Sequence, residues 1–121
     1  MSDPGLLLIQ PTWPLGHCVE VLSTTRNGGF SAAPYNDLNL ALHVGDDASS
    51  VERNRSLLKQ QLQLPQEPKW LQQVHATTVV CADGLAPDKT QADASYSQQV
   101  GTVCAILSAD CMPVVLAASD G

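Results

Sequence analysis

Ser49-Ser50-Val51-Glu52-Arg53-Asn54-Arg55-Ser56-Leu57-Leu58-Lys59-Gln60-Gln61-Leu62-Gln63-Leu64-Pro65 is the clearest helical stretch of the chain. Ser49 and Glu52 fit a capping box, in which the Ser49 hydroxyl takes an amide at the helix start and Glu52 reaches back. Val51, Leu58 and Leu62 recur at helical spacing, while Glu52, Arg53, Lys59, Gln60 and Gln63 fall mostly elsewhere on the wheel. Leu64-Pro65 ends the helix, because proline disfavours helical geometry in the residue before it. Outward from this helix the pattern changes to short runs of strand type. Cys18–Thr24, Leu38–Val44, Lys69–Val74, Thr78–Ala82, Gly101–Leu107 and Pro113–Ala118 are apolar or rich in β-branched residues. Thr25–Gly29 is a tight turn with paired glycines, Ser31–Asp37 an ordered loop, and the polar Asp83–Ser97 segment largely loop. One helix among several strands predicts an α+β fold or a mixed α/β layer arrangement.

The chain has 121 residues, enough for one small domain. Hydrophobic residues make up 44% and aromatics 4%, so the core must be built mainly from Leu, Val, Ala and Ile. Six basic against twelve acidic residues give a net charge of −6. Nucleic-acid binding needs clustered Lys and Arg to displace counterions, so that class is disfavoured. No run approaches the roughly 18 apolar residues of a membrane span. Met1-Ser2-Asp3-Pro4 lacks the basic start of a secretory signal, which makes a cytoplasmic location the expectation. Cys18, Cys81, Cys104 and Cys111 show no CxxC spacing and are expected as free thiols. The final strand-like run stops at Ser119-Asp120-Gly121, which suggests a partial domain.

Two segments end strand-like runs on reactive side chains: Gln72-Gln73-Val74-His75 and Ser108-Ala109-Asp110-Cys111. His75 reads either as a half-buried, hydrogen-bonded strand-end histidine or as a metal ligand or general base. Cys111 reads either as a small buried hydrophobe or as a thiolate presented at a sharp strand exit before Pro113. Arg26, after Thr24-Thr25 and before two glycines, can hold an oxyanion through its guanidinium and turn amides; an ordinary surface arginine is the other reading. Asp93 is either a loop carboxylate capping backbone amides or a site residue. His17 and His43 are assigned structural roles. Cys18, Cys81 and Cys104 are expected in the core, and Trp13 and Trp70 as packing residues.

Taken in order, six motifs carry a resemblance. The first three are Ser23-Thr24-Thr25-Arg26-Asn27-Gly28-Gly29-Phe30-Ser31, Tyr35-Asn36-Asp37-Leu38-Asn39-Leu40 and Val51-Glu52-Arg53-Asn54-Arg55. The others are Trp70-Leu71-Gln72-Gln73-Val74-His75, Ala92-Asp93-Ala94 and Ala109-Asp110-Cys111-Met112-Pro113-Val114. From about Pro11 onward the sequence closely resembles the YfiH-type family, also called the laccase-domain or multicopper polyphenol oxidase-like family.

The resemblance implies a layered, mixed-sheet α/β sandwich, with residues 1–121 forming a single partial domain, its N-terminal half. It implies a zinc-dependent purine nucleoside phosphorylase with adenosine deaminase activity, acting on a purine nucleoside and phosphate. Older naming as polyphenol oxidases points to copper, and bacterial members are linked to peptidoglycan editing. The family's metal is held by two histidines and a cysteine. His75 and Cys111 correspond to two of these and are the expected catalytic and metal-binding residues. The second histidine lies in a His-Ala-Gly-Trp-Arg segment that this sequence does not contain. The chain as it stands is therefore expected to be weakly active or inactive, and to self-associate through exposed apolar surface. Arg26 is the candidate phosphate holder, Asn39 and Gln73 are candidate substrate contacts, and Asp110 a candidate partner orienting a metal ligand. Two rivals remain: a metal-free Cys–His hydrolase or amidase, and a non-enzymatic interaction module.

Overall fold

The computed structural model describes residues 6–12 and 19–118. Trp13, His17 and Cys18 lie outside them. The described residues fall into two compact units, one drawn from Met1–Gln61 and Val114–Gly121, the other from Leu62–Pro113.

In the first unit, β1 (Leu8–Ile9) pairs antiparallel with β2 (Ser23–Thr24), with Leu8 opposite Thr24 and Ile9 opposite Ser23. The Thr25 hydroxyl extends the pair by donating to the Leu7 carbonyl at 2.8 Å. A loop then folds back on itself, with the amides of Asp37 and Leu38 both donating to the Arg26 carbonyl at 2.7 and 2.8 Å. The helix α1 spans Ala48–Gln61. Its cap is Asp47 and not Ser49: the Asp47 carboxylate accepts the Ser50 amide at 3.1 Å and the Ser49 and Ser50 hydroxyls at 2.6 and 3.1 Å. Aspartate placed one residue ahead of the first helical residue satisfies an orphan amide better than a box starting at Ser49. The helix ends at Gln61, before Leu62, and Gln63 adopts a φ of 52° just beyond.

The buried stripe of α1 is Val51, Asn54, Arg55 and Leu58, a helical face in which two of the four residues are polar. Asn54 is fully buried and ties the loop to the helix. Its Nδ2 donates to Asn39 O at 2.8 Å, Ser31 Oγ at 2.9 Å and Asp37 O at 3.3 Å, and its Oδ1 accepts the Phe30 amide at 2.6 Å. Arg55 donates from Nε to the Leu40 carbonyl at 2.9 Å. Leu38 and Leu40 complete this core. The predicted strand over Leu38–Val44 is instead a series of turns. Asn39 captures the local backbone, its Oδ1 accepting the Ala41 amide and its Nδ2 donating to the Ala41 carbonyl, and so competes with a ladder.

In the second unit, β3 (Val79–Cys81) pairs in parallel with β4 (Ala94–Tyr96). The strand β4 lies inside the segment expected as loop. Ala94-Ser95-Tyr96 is too short to show a strand pattern, and the long-range pairing with β3 makes it a strand. Lys69–Val74 forms two isolated parallel bridges, Lys69 with Cys104 and Gln72 with Gln91, where a full strand was expected. Gly101–Leu107 likewise contributes a single bridge, and Pro113–Ala118 forms no ladder among the described residues. Apolar runs supply strand propensity, but a strand also requires a neighbour for its backbone groups. Trp70, Leu71, Ala82 and Ala92 form the core, and Trp70 Nε1 donates to Glu67 at 3.0 Å. Cys81 is half-buried and Cys104 is exposed, so the expectation of a core role fails for Cys104.

Candidate active site

His75 stands at the end of the 69–74 segment, exposed to solvent and with a φ of 59°. Left-handed backbone is unusual for a residue with a side chain. Here it turns three successive amides toward one acceptor. The amides of Val74 and His75 donate to Asp93 Oδ1 at 3.0 and 2.6 Å, and that of Ala76 to Asp93 Oδ2 at 3.0 Å. Of the two roles left open for Asp93, the structure thus shows the capping of backbone amides. Partial burial pushes the Asp93 carboxyl up, but the amides of Ala76, Val74, His75 and Thr78 together outweigh it and hold it below the ordinary 3.8.

The residue two before His75 is held just as firmly. Gln73 donates from Nε2 to the Leu107 carbonyl at 3.0 Å and accepts the Leu107 amide on Oε1 at 2.7 Å. A carboxamide has the donor and acceptor of a peptide, so Gln73 pairs with this segment as a backbone group would. The bond joins the run leading to His75 with the run leading to Cys111. A substrate contact by Gln73 would compete with these bonds. Cys111 is exposed, and its carbonyl accepts the Ser108 hydroxyl. Asp110 beside it is also exposed.

Among the described residues, no three His, Cys, Asp or Glu side chains are grouped so as to hold a metal ion. An imidazole and a thiol are suitable zinc donors, but a catalytic zinc keeps three protein ligands. The described residues therefore do not make a zinc site by themselves.

In the first unit, Arg26 is exposed and its Nε donates to the Asn36 carbonyl at 3.1 Å. Asn39 is committed to Ala41 and, through Nδ2, to Asp46 Oδ2 at 3.1 Å. Asp46 also accepts the Ser31 hydroxyl at 2.6 Å, the largest of the influences that lower its carboxyl. Asn39 thus holds a loop in place. The central position of Asn54 escaped the sequence reading, because hydropathy gives no sign that an asparagine is buried.

Residues 20–121 match the family model described as multi-copper polyphenol oxidoreductase laccase. The chain belongs to this laccase-like family. It is 47% identical over 108 residues to the purine nucleoside phosphorylase YfiH of Escherichia coli (strain K12), covering 89% of this chain and 44% of that protein. A purine nucleoside phosphorylase of Pseudomonas aeruginosa is 44% identical over 114 residues, covering 93% of this chain and 45% of that one. The crystal structure of Neisseria meningitidis protein NMB0706 superposes with a TM-score of 0.74 at 43% identity, over 88% of this chain and 42% of its own. That likeness places the laccase-like chain in a mixed α/β fold. It spans less than half the length of these relatives.

Proposed function

We propose that this chain carries part of a purine nucleoside phosphorylase, with a purine nucleoside and inorganic phosphate as substrates. The observation that carries the reading is 47% identity, over 89% of the chain, to a relative of that name. In phosphorolysis a phosphate oxygen bonds to C1′ of the ribose while the bond from C1′ to the purine nitrogen breaks. The purine leaves with the electron pair and takes up a proton. Arg26 is suited to the phosphate: Asn36 holds its Nε, and a guanidinium so fixed meets an oxyanion with little further ordering. His75 supplies an imidazole that can accept or donate a proton. Cys111 supplies a thiol. His75 and Cys111 are also two donors for a zinc ion whose remaining ligands are not among the described residues, and zinc or copper would act as a Lewis acid when bound.

Adenosine deamination, releasing ammonia, is the finer activity assigned to the same chain, and the cytoplasm its location. Incubating the full-length protein with inosine and phosphate should release hypoxanthine and ribose 1-phosphate. Substituting His75→Ala or Cys111→Ala should lower the rate by about 10²-fold or more. No release, or an unchanged rate with Cys111→Ala, rejects the assignment. The exposed thiol favours one rival, a hydrolase with Cys111 as nucleophile and His75 as base. Thiol alkylation that is unaffected by added zinc and abolishes hydrolysis of an amide substrate would select it.

A further inference from the structure

We propose that Asp93 is the positioning residue of His75, acting through the backbone and not through the imidazole. The inference rests on the reading of His75 as a functional side chain and adds what aims it. Three consecutive amides converge on one carboxylate at 2.6 to 3.0 Å, and they converge because His75 sits at a φ of 59°. Such a concave run of amides is an anion-binding nest, and here the anion is the protein's own side chain. The carboxylate is itself anchored. The Asp93 amide donates to the Thr78 carbonyl at 2.9 Å, as does that of Ala94 at 3.2 Å, and Ala94 opens β4, which is paired to β3.

The chain of constraint runs from the β3–β4 pair through Asp93 to the 74–76 backbone. The exposed imidazole of His75 has little packing to direct it, so the direction of its Cα–Cβ bond is set by this cage. Gln73, bonded twice to Leu107, fixes the run two residues ahead of His75. An ionised carboxylate suits the position because both oxygens accept, one taking two amides and the other taking the third. A carboxamide would turn its NH2 group toward the Ala76 amide and lose that bond.

The test combines amide exchange and histidine ring resonances by NMR with steady-state kinetics, all on the full-length protein. With Asp93→Ala, exchange at Val74, His75 and Ala76 should speed by about tenfold or more, while Val51 and Leu58 amides in α1 stay protected. The His75 ring proton shifts should move toward those of a free histidine. The kcat for phosphorolysis should fall by about 10²-fold with KM changed by less than about threefold, as expected for a misaimed group. Asp93→Asn should free Ala76 selectively, keep Val74 and His75 protected, and recover part of kcat. This variant decides the matter if the alanine substitution does not fold. Unchanged ring shifts and exchange in both variants would overturn the proposal, as would loss of protection across the whole chain with Asp93→Asn. If the amides and ring respond as stated while His75→Ala phosphorolyses inosine as fast as wild type, the positioning role stands and the functional reading of His75 fails.

Discussion

At the scale of single residues, carboxylates do most of the local organising. Asp93 gathers the amides before β3, Asp47 starts the helix, and Asp83 pins the chain after β4. The Ser97 hydroxyl at 2.5 Å is the largest influence on Asp83, followed by the Gln98 amide at 3.0 Å, and its carboxyl is held at about 2 against an ordinary 3.8. A carboxyl depressed in the folded state stabilises the fold fully above its unfolded value and loses that contribution as pH falls through the folded one. The stability from Asp83 should therefore disappear between pH 3.8 and about 2. Urea midpoints measured across that window should fall for the wild type and fall less steeply for Asp83→Asn. Equal slopes would mean that these hydrogen bonds do not persist in solution. Asp46, Asp47 and Asp93 are shifted in the same direction, so the whole chain should be sensitive to acid.

At the scale of elements, α1 shows how a helix is started by one residue and held by another. Asp47→Ala should lower the urea midpoint of the first unit, whereas Ser49→Ala should lower it less because Ser49 is not the cap. The helix is packed through Asn54 against a loop that leaves no room for a side chain at Gly29. A Cβ there would lie 2.5 Å from both Asn54 Oδ1 and the Asp37 carbonyl oxygen, and 2.7 Å from Leu38 Cα. Two of those three atoms are backbone and cannot swing aside. Gly29→Ala should accordingly lower stability by about 1–3 kcal/mol, with a drop in the thermal midpoint. An alanine variant as stable as wild type would mean that the loop does not pack this closely. The second unit's strands are three residues long, and elsewhere in that unit the Gln73 side chain stands in for a ladder by pairing with Leu107.

For the molecule as a whole, the exposed apolar residues matter most. Met112, Val114 and Leu116 are 83%, 66% and 90% exposed, and Val100 is fully open. Apolar side chains left open in this number favour association. Sedimentation of the purified chain should show a mass that rises with concentration, and Leu116→Lys should shift it toward the monomer. A monomer at all concentrations would reject this. No described helix is long and apolar enough to cross a membrane.

Much of the chain's character was legible in order along the sequence. The helix found over Ala48–Gln61, its apolar stripe through Val51 and Leu58, the turn at Gly28-Gly29 and the six motifs of the family are all local patterns. Local patterns survive because propensity and spacing act between residues a few positions apart. What escaped was non-local. Whether Pro113–Ala118 is a strand depends on a neighbour for its backbone, and whether Ala94–Tyr96 is one depends on Val79–Cys81. The burial of Asn54 depends on four partners at positions 30, 31, 37 and 39. Asp93 had two possible uses by sequence, and tertiary structure chose between them by bringing it to Val74, His75 and Ala76. Residue types name the groups available for chemistry; the hydrogen bonds formed across the fold decide which of them are spent on holding it together.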